Sequence, residues 1–307
     1  MPYVPVSDGT PQDVAQLAEQ RWNAVLSARP DLAPAIDLQR RLIALVTDLG
    51  RTLQQGRLPR LSLPPKYLAA KLLRGVPILA GEPIPVPIPV LGPALARFCD
   101  ALAEGGAGDI AIHIRDAIVS GNIEPGSLLA ASLARQQSAI RTGATHRGLA
   151  PDLVWLVAEL AVSPFVHALQ TLLCAGATDP TFQGALAAWD RGHCPACGSW
   201  PALAEVVGGH RTLRCSFCSC AWELPTYACI YCDDGGDQFV TVAPDEQRKD
   251  RRIEACGACG SYLKTIDVTA LSPFPLLSIS DIETTDLDLA AMDHRYQRPA
   301  LKEFAQR

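Results

Sequence analysis

The sequence lacks the signals that mark several common functional classes. Its net charge of −5 provides no positive surplus that would attract nucleic acid or an anionic membrane. The opening stretch, MPYVPVSDGTPQDVAQ, contains neither a basic segment nor an apolar run, so we expect no secretory signal peptide and a cytoplasmic location. A phosphate-binding loop, a His-Glu-x-x-His motif and a Gly-x-Ser-x-Gly motif are also missing. We therefore assign no catalytic residue and expect that the protein is not an enzyme.

Long uninterrupted apolar runs are missing as well. The most apolar stretch, 153–177, is interrupted by Glu159, Pro164 and His167, which predicts a buried helix or helix pair and no membrane span. Hydrophobic residues make up 48% of the 307 residues and charged residues 19%, as in a chain that folds around a core. This length predicts one large domain or two smaller ones.

Apolar periodicity predicts that residues 1–190 form a helical domain. Thr10 followed by Pro11 is typical of a helix start, and Gly56 is typical of a helix end. Alternating prolines at 83–89 predict an extended connector that lies against the helical body. Helices are predicted near 14–26, 38–53, 66–74, 93–104, 109–120, 125–141, 152–174 and 181–189.

The cysteines are distributed unevenly along the chain. Residues 1–190 contain only Cys99 and Cys174, which we expect in the core, whereas residues 191–264 contain the other nine of 11. Cytosolic thiols stay reduced, so clustered cysteines indicate metal ligands or catalytic thiols before disulfides. Eight of the nine form four Cys-x-x-Cys pairs, which we name knuckles 1 to 4: Cys194/Cys197, Cys215/Cys218, Cys229/Cys232 and Cys256/Cys259.

The spacing of the knuckles predicts two four-cysteine metal sites. A knuckle curls round one ion, and a tetrahedral ion needs a second knuckle. Positions 198–214 separate knuckles 1 and 2, and positions 233–255 separate knuckles 3 and 4, so each interval is long enough for a β-hairpin. Knuckles 2 and 3 are joined by the shorter stretch 219–228, which suits a link between modules. The simplest interpretation is two tandem rubredoxin-like, or zinc-ribbon-like, modules at 194–218 and 229–259.

Gly198 and Gly260 each follow a knuckle directly, where we expect a positive φ. Closed thiolate sites of this kind predict a structural or redox role and disfavour Lewis-acid catalysis, because no coordination position stays open. The spacing accepts iron or zinc. Cys220 has no partner in a knuckle, and we expect it to be a buried thiol and not a ligand.

Around the knuckles the sequence predicts short strands near 202–207, 211–214 and 239–242, and one short helix from 281 to 293. The fold class is thus predicted to be α plus small β. Its four parts are a helical domain (1–190), a first module (191–223), a second module (224–267) and a C-terminal tail (268–307).

The remaining motifs predict no further site. Gly106-x-Gly108-x-x-Ala111 follows a predicted helix and not a strand, so it is not a dinucleotide fingerprint. His193 and His210 flank the first module and are expected to be solvated turn residues. A basic cluster at 248–252 is interleaved with acidic residues, and 191–264 carries a net charge of −1, which disfavours a zinc-ribbon nucleic-acid binder.

Several motifs resemble the formate dehydrogenase accessory protein family, FdhE. The resemblance lies in CPACGS at 194–199, LRCSFC at 213–218 with Trp222, CIYC at 229–232 and CGACGSYLKTID at 256–267, and in the tail around Leu287 and Tyr296. It spans about 194–299, and over 1–190 only the helical character is compatible. Ala221 and Thr226 depart from the family's pattern, which usually has Glu and Arg there, so a partner contact at these positions is in doubt.

This resemblance implies a cytoplasmic maturation factor that binds the catalytic subunit of a formate dehydrogenase. It also implies that the two sites bind iron, with zinc as the alternative. Three other functions stay open at this point: a rubredoxin-type electron carrier, a thiol–disulfide enzyme that uses its knuckles without metal, and a zinc-ribbon interaction module. The sequence predicts neither the pairing of the knuckles nor the oligomeric state.

Overall fold

The computed structural model describes residues 3–7, 9–56, 58, 59, 61 and 63–301. The helices are α1 (Pro11–Ala28), α2 (Ala33–Gln55), α3 (Pro65–Leu73), α4 (Ile88–Leu102), α5 (Gly108–Val119), α6 (Pro125–Leu133), α7 (Gln137–His146), α8 (Pro151–Gln170), α9 (Pro180–Ala187), α10 (Leu277–Glu283) and α11 (Thr285–Asp293). The strands are β1 (Tyr3–Val4), β2 (Pro201–Val207), β3 (His210–Cys215), β4 (Ala221–Trp222), β5 (Phe239–Val242), β6 (Arg251–Cys256) and β7 (Ser261–Asp267).

These elements form two compact units, each discontinuous in sequence. The described residues of the helical unit lie within Ala15–Ser62 and Gly81–Gln170, and those of the sheet unit lie within Met1–Val14, Leu63–Ala80 and Thr171–Phe304. Helices α3 and α9 pack together within the sheet unit.

In the helical unit, α8 is the central helix and contacts α2, α4, α6 and α7. Its buried side chains include Val157, Ala161 and Phe165, none of them exposed to solvent. The helix Pro151–Ala175 is long and apolar enough to cross a membrane, but 61% of its most apolar stretch of 18 residues is buried within the structure. Core helices of soluble proteins share these properties, so this helix is weak support for a membrane span.

Most predicted helices are confirmed, including the first one. Thr10 caps it, because the Thr10 hydroxyl oxygen accepts a hydrogen bond from the Asp13 amide at 3.2 Å. Two predicted single helices are each a pair. The prediction at 125–141 is wrong because the chain turns at Arg135, whose φ is +58°, between α6 and α7. The prediction at 281–293 is wrong because Thr284 separates α10 from α11.

Among the described residues of the sheet unit, seven strands form one sheet in the order β1-β4-β3-β2-β7-β6-β5. The hairpins β2–β3 and β6–β7 are antiparallel, and they meet through a parallel pairing of β2 with β7. Knuckles 2 and 4 begin at the last residues of β3 and β6, knuckle 1 lies just before β2, and knuckle 3 lies in the loop between β4 and β5. Both cysteine groups are therefore attached to the same sheet.

Helices α10 and α11 cover one face of this sheet. Leu277 of α10 packs on Leu203 and Ile266, and Leu287 of α11 packs on Ile253 and its neighbours. Burial of these apolar side chains stabilises the C-terminal segment against the strands.

Buried ion pairs hold the same segment in place. Arg214 and Glu205 form a pair with no solvent exposure, and Glu205 also accepts a hydrogen bond from the Ser272 amide at 3.0 Å. Lys264 is equally buried and donates to the Asp288 carboxylate at 2.7 Å. A buried charge without a partner is costly. The docked C-terminal segment supplies Ser272 to Glu205 and Asp288 to Lys264, so these buried charges favour its docked position.

Candidate metal centres

The structure gathers the eight knuckle cysteines into two groups of four. In each group the four sulfur atoms all lie within 4.8 Å of one another. Knuckles 1 and 2 form the first centre, and knuckles 3 and 4 form the second, which is the predicted grouping. The first centre comprises Cys194, Cys197, Cys215 and Cys218, and the second comprises Cys229, Cys232, Cys256 and Cys259.

The distances between sulfurs fit a tetrahedral ion. A metal–sulfur bond of about 2.3 Å implies that two sulfurs on one ion lie about 3.8 Å apart. In the first centre Cys194 Sγ lies 3.6 Å from Cys218 Sγ. In the second centre Cys229 Sγ lies 3.7 Å from Cys259 Sγ and Cys232 Sγ lies 3.6 Å from Cys256 Sγ. Each group could therefore bind one metal ion through four thiolates.

All four knuckles share one backbone conformation. In each, the residue after the second cysteine donates its amide to the carbonyl of the first cysteine, as Gly198 does to Cys194 at 3.0 Å. That residue always has a positive φ, +83° at Gly198, +55° at Ser219, +62° at Asp233 and +67° at Gly260. The two predicted glycine conformations are confirmed, and sequence reasoning did not foresee that a serine and an aspartate adopt the same one.

Backbone amides also point at sulfur in knuckle 2. The amides of Phe217 and Cys218 lie 3.4 and 3.5 Å from Cys215 Sγ. Such N–H groups favour the charged thiolate over the neutral thiol, because they hydrogen-bond to the anion. The turn thus favours the thiolate, which is the form of cysteine that binds a metal cation.

The two centres differ sharply in solvent access. All four cysteines of the first centre are buried, and the most exposed, Cys197, reaches only 4%. In the second centre Cys229 and Cys256 are buried, whereas Cys259 is partly exposed and Cys232 is exposed. Equal ligand sets are therefore placed in unequal surroundings.

Backbone contacts anchor knuckle 1 from outside its own module. The amides of Ile78 and Leu79 donate to the carbonyls of Pro195 and Ala196 at 2.9 and 3.0 Å. The segment after α3 therefore contacts the first centre. In the sequence, Gly81–Gln170 of the helical unit lies between this segment and knuckle 1.

Three cysteines lie outside the two groups. Cys220 and Cys174 are buried in the sheet unit, and Cys99 is buried in α4 of the helical unit. Burial raises the pKa of the Cys99 thiol to about 12, so it stays a neutral core side chain. Burial likewise raises the pKa of Cys174.

His193 corrects one prediction. It is only 3% exposed and not a solvated turn residue. Its ring lies edge-on to those of Trp189 and Trp200, at centroid distances of 5.1 and 6.0 Å, because the turn before knuckle 1 folds inward. His210, in contrast, is exposed as predicted.

The two centres touch through an aromatic pair and a glycine. Trp200 packs edge-on against Tyr231 of knuckle 3 at 5.0 Å. Gly192, just ahead of knuckle 1, lies so close to knuckle 3 that an added Cβ would sit 1.8 Å from the Ile230 carbonyl oxygen. Sequence reasoning missed this contact, and the only signal was a glycine shortly before the first knuckle.

A charged cluster next to the second module was also missed. Arg298 lies 2.9 Å from both Asp281 and Asp288, and Tyr262 donates to Asp288 at 2.7 Å. Burial alone would raise the pKa of Asp281, but Arg298 and Lys264 outweigh burial and hold the pKa below its usual value. The sequence showed these groups only as scattered charges of the tail.

Known proteins resemble this chain in sequence and in fold. No family model matches it. A curated protein named Protein FdhE homolog from Aquifex aeolicus (strain VF5) is 31% identical over 117 residues, which is 35% of this chain and 40% of that protein. A Protein FdhE homolog from Haemophilus influenzae (strain PittEE) is 32% identical over 116 residues, 36% of this chain and 38% of that protein. The matches thus span about two fifths of the length of these relatives.

The fold comparison covers more of the chain. The crystal structure of the FdhE protein from Pseudomonas aeruginosa superimposes with a TM-score of 0.60 over 99% of this chain and 98% of that chain. At 19% identity this match establishes the fold alone. The resemblance to the FdhE family predicted from the knuckle motifs is confirmed by the sequence matches.

Proposed function

We propose that this chain is an FdhE-type accessory protein, which binds the catalytic subunit of a formate dehydrogenase and supports its assembly or activation. The observation that carries the proposal is the pair of four-cysteine centres, built from knuckles whose sequences resemble those of the FdhE family. The accessory role and the partner come from that resemblance. On this proposal the protein acts by binding in the cytoplasm and is not itself an enzyme.

The eight knuckle cysteines are the proposed metal ligands of two rubredoxin-like modules. The family resemblance favours iron, with zinc as the alternative. Iron held by four thiolates supplies one-electron chemistry, whereas zinc supplies only a fixed geometry. The chain's own contribution is the same for either ion. Its knuckle turns aim N–H groups at sulfur, and the shared sheet keeps the two centres at a fixed separation.

We also propose the four-part division of the chain at 190/191, 223/224 and 267/268 as a functional one, with the two modules presented between a helical domain and a tail. Of the two positions that depart from the family's pattern, Ala221 is only 1% exposed in β4, whereas Thr226 is exposed. A partner protein that binds this region would therefore contact Thr226 and not Ala221.

The first experiment is elemental analysis and absorption spectroscopy of protein purified without oxygen and without added metal. Two irons per chain with a red, rubredoxin-like spectrum would support the iron form. Two zincs would support metal-stabilised modules in a partner-binding protein. A metal content near zero would refute the metal centres and favour the thiol–disulfide enzyme.

The second experiment tests the partner. Tagged protein is used to capture the formate dehydrogenase catalytic subunit produced in the same cells, with Thr226→Arg and Ala221→Gly as matched variants of exposed and buried positions. Capture by the wild type supports the proposal, and a change in capture with Thr226→Arg alone locates the contact. Failure to capture the subunit, by a protein that holds both metals, would refute the accessory role.

Electron transfer remains the second candidate, because the exposed Cys232 brings the second centre to the surface. It requires reversible one-electron reduction of the native protein, which redox titration of the iron form measures directly.

A further inference from the structure

The two centres have matching ligands but opposite surroundings, and this contrast carries a further inference. The first centre is enclosed: its sulfurs are buried, and neighbouring Phe217 and Trp222 are 2% and 0% exposed. Knuckle 1 is also tied by two backbone hydrogen bonds to Ile78 and Leu79. A molecule from solution can reach these sulfurs only after the fold opens locally, which is a rare event in a well-packed region.

The second centre has an open side. Cys232 is exposed and Cys259 is partly exposed, so solvent reaches two of its four cysteine residues without any opening of the fold. Knuckle 3 lies in the loop between β4 and β5, where residues 232, 233 and 235–238 are exposed. Its backbone bonds include two within the loop itself, Cys229 to Asp234 at 2.8 Å and Asp233 to Cys229 at 2.9 Å.

The open side carries negative charge. Asp233 directly follows Cys232 and is exposed, Asp237 is exposed in the same loop, and an Asp234 carboxylate oxygen lies 3.9 Å from Cys256 Sγ. A patch of one sign raises the local concentration of ions of the opposite sign. Metal cations are therefore drawn to the same face at which the thiolates are accessible.

Replacement of a thiolate-bound ion requires a competing ligand or a proton to reach a sulfur. Thiol accessibility and thiolate character govern the reactivity of cysteine toward external reagents and metals. We propose that the second centre is an exchangeable metal site, which loads and releases its ion through the Cys232–Cys259 side, whereas the first centre keeps its ion as a permanent part of the fold. This inference rests on the proposed metal centres and adds a difference between them.

The test follows metal release from protein reconstituted with two zinc ions, kept reduced and without oxygen. A chromophoric chelator is added to the native protein, and the zinc transferred is recorded with time. We expect one equivalent of zinc to leave in a fast phase and the second about 100-fold more slowly or not at all. The chelator reaches the buried sulfurs only after the fold opens locally. Denaturation at the end releases all zinc and gives the total.

Two variants assign the phases to the centres. Cys232→Ser should lose the fast equivalent and retain one slow equivalent, while Cys99→Ala, in the helical unit, should keep both phases. Asp237→Asn should slow reloading by free zinc, because it removes one charge from the open face. Loading by a zinc-bearing thiol protein but not by free zinc would identify a protein donor as the source and still support exchange.

A chemical measurement checks the same contrast without releasing metal. Brief alkylation of the native, zinc-loaded protein, followed by peptide mass analysis, should modify Cys232 and Cys259 before any cysteine of the first centre. Release of both equivalents at one rate, or equal alkylation of the two centres, would overturn the inference while leaving metal binding intact. A total below one zinc per chain would instead refute the metal centres themselves.

Discussion

Replacing Gly192 with alanine provides a sharp test of how the two centres are coupled. In the wild type the backbone at Gly192 lies against the backbone of Ile230 within knuckle 3. A Cβ would sit 1.8 Å from the Ile230 carbonyl oxygen, whereas an ordinary contact needs at least 3.4 Å, so the two segments must move apart. No rotamer change relieves this overlap, because the main chain fixes the position of the Cβ and the carbonyl oxygen is itself a main-chain atom.

The displacement should fall on knuckle 3. Knuckle 1 is held by the amides of Ile78 and Leu79, whereas knuckle 3 lies in an exposed loop. Metal–sulfur distances tolerate only about 0.2 Å of error, far less than this overlap, so the displacement removes the tetrahedral geometry of the second centre. We expect metal content to fall from two ions toward one, and the overpacking to cost about 1–3 kcal/mol of folding free energy.

Elemental analysis and thermal unfolding of Gly192→Ala measure both effects. Gly257→Ala is the matched control, because it lies inside knuckle 4 and its added Cβ would find its nearest neighbour at 3.6 Å, an ordinary contact. The control should keep two ions and melt close to the wild type. If Gly192→Ala also keeps two ions and melts with the wild type, the close approach of knuckles 1 and 3 is not as described.

Three further predictions concern the framework around the centres. Arg214→Met leaves Glu205 buried without its cation and should lower the free energy of unfolding by about 3–5 kcal/mol, measured with denaturant. Adding Glu205→Leu should recover much of this loss, and an unchanged unfolding midpoint for Arg214→Met would contradict the buried pair. Asp281 has a lowered pKa in the folded state, so its stabilising contribution is complete above its ordinary pKa and disappears as the pH falls through the lower folded value. Unfolding followed between about pH 5 and pH 2 should show this loss, and Arg298→Gln should reduce its size; equal pH profiles would count against the ion pair. Ser219→Gly removes a positive-φ penalty and should raise the free energy of unfolding by up to about 1 kcal/mol, whereas a decrease would indicate that the serine side chain stabilises the turn.

The cysteine groups could be predicted because their chemistry is local. A tetrahedral ion needs four sulfurs, a knuckle supplies two, and the intervening lengths fit a hairpin, so spacing makes the observed grouping the simplest one without deciding the pairing. Helix starts and ends are local in the same sense, and the Thr10 cap and the Gly56 end both follow from nearest neighbours in sequence.

What escaped prediction depends on distant contacts. The parallel pairing of Ala204 with Thr265 joins two hairpins, and no periodicity in either segment indicates it. His193 is buried because two tryptophans close over it, although a histidine in a turn is more often solvated. The break between α6 and α7 lies at Arg135, which has a left-handed backbone conformation although it is not a glycine. Solvent access to Cys232 likewise follows from which loop covers which knuckle, and spacing says nothing about that.

The parallel pairing of β2 with β7 also makes the order of synthesis matter. Each pair of knuckles lies within a short stretch of chain, so on the proposed function each centre would take up its ion soon after its second knuckle leaves the ribosome. Strand β2, however, can pair with β7 only after β7 has been synthesised, and residues 208–260 are made between the end of β2 and the start of β7. During that interval β2 presents an unpaired edge, which is the kind of surface through which nascent chains associate wrongly. On the same proposal, early ion uptake at the first centre would hold β2 and β3 in their hairpin and shorten the time for which that edge can pair with a neighbouring chain.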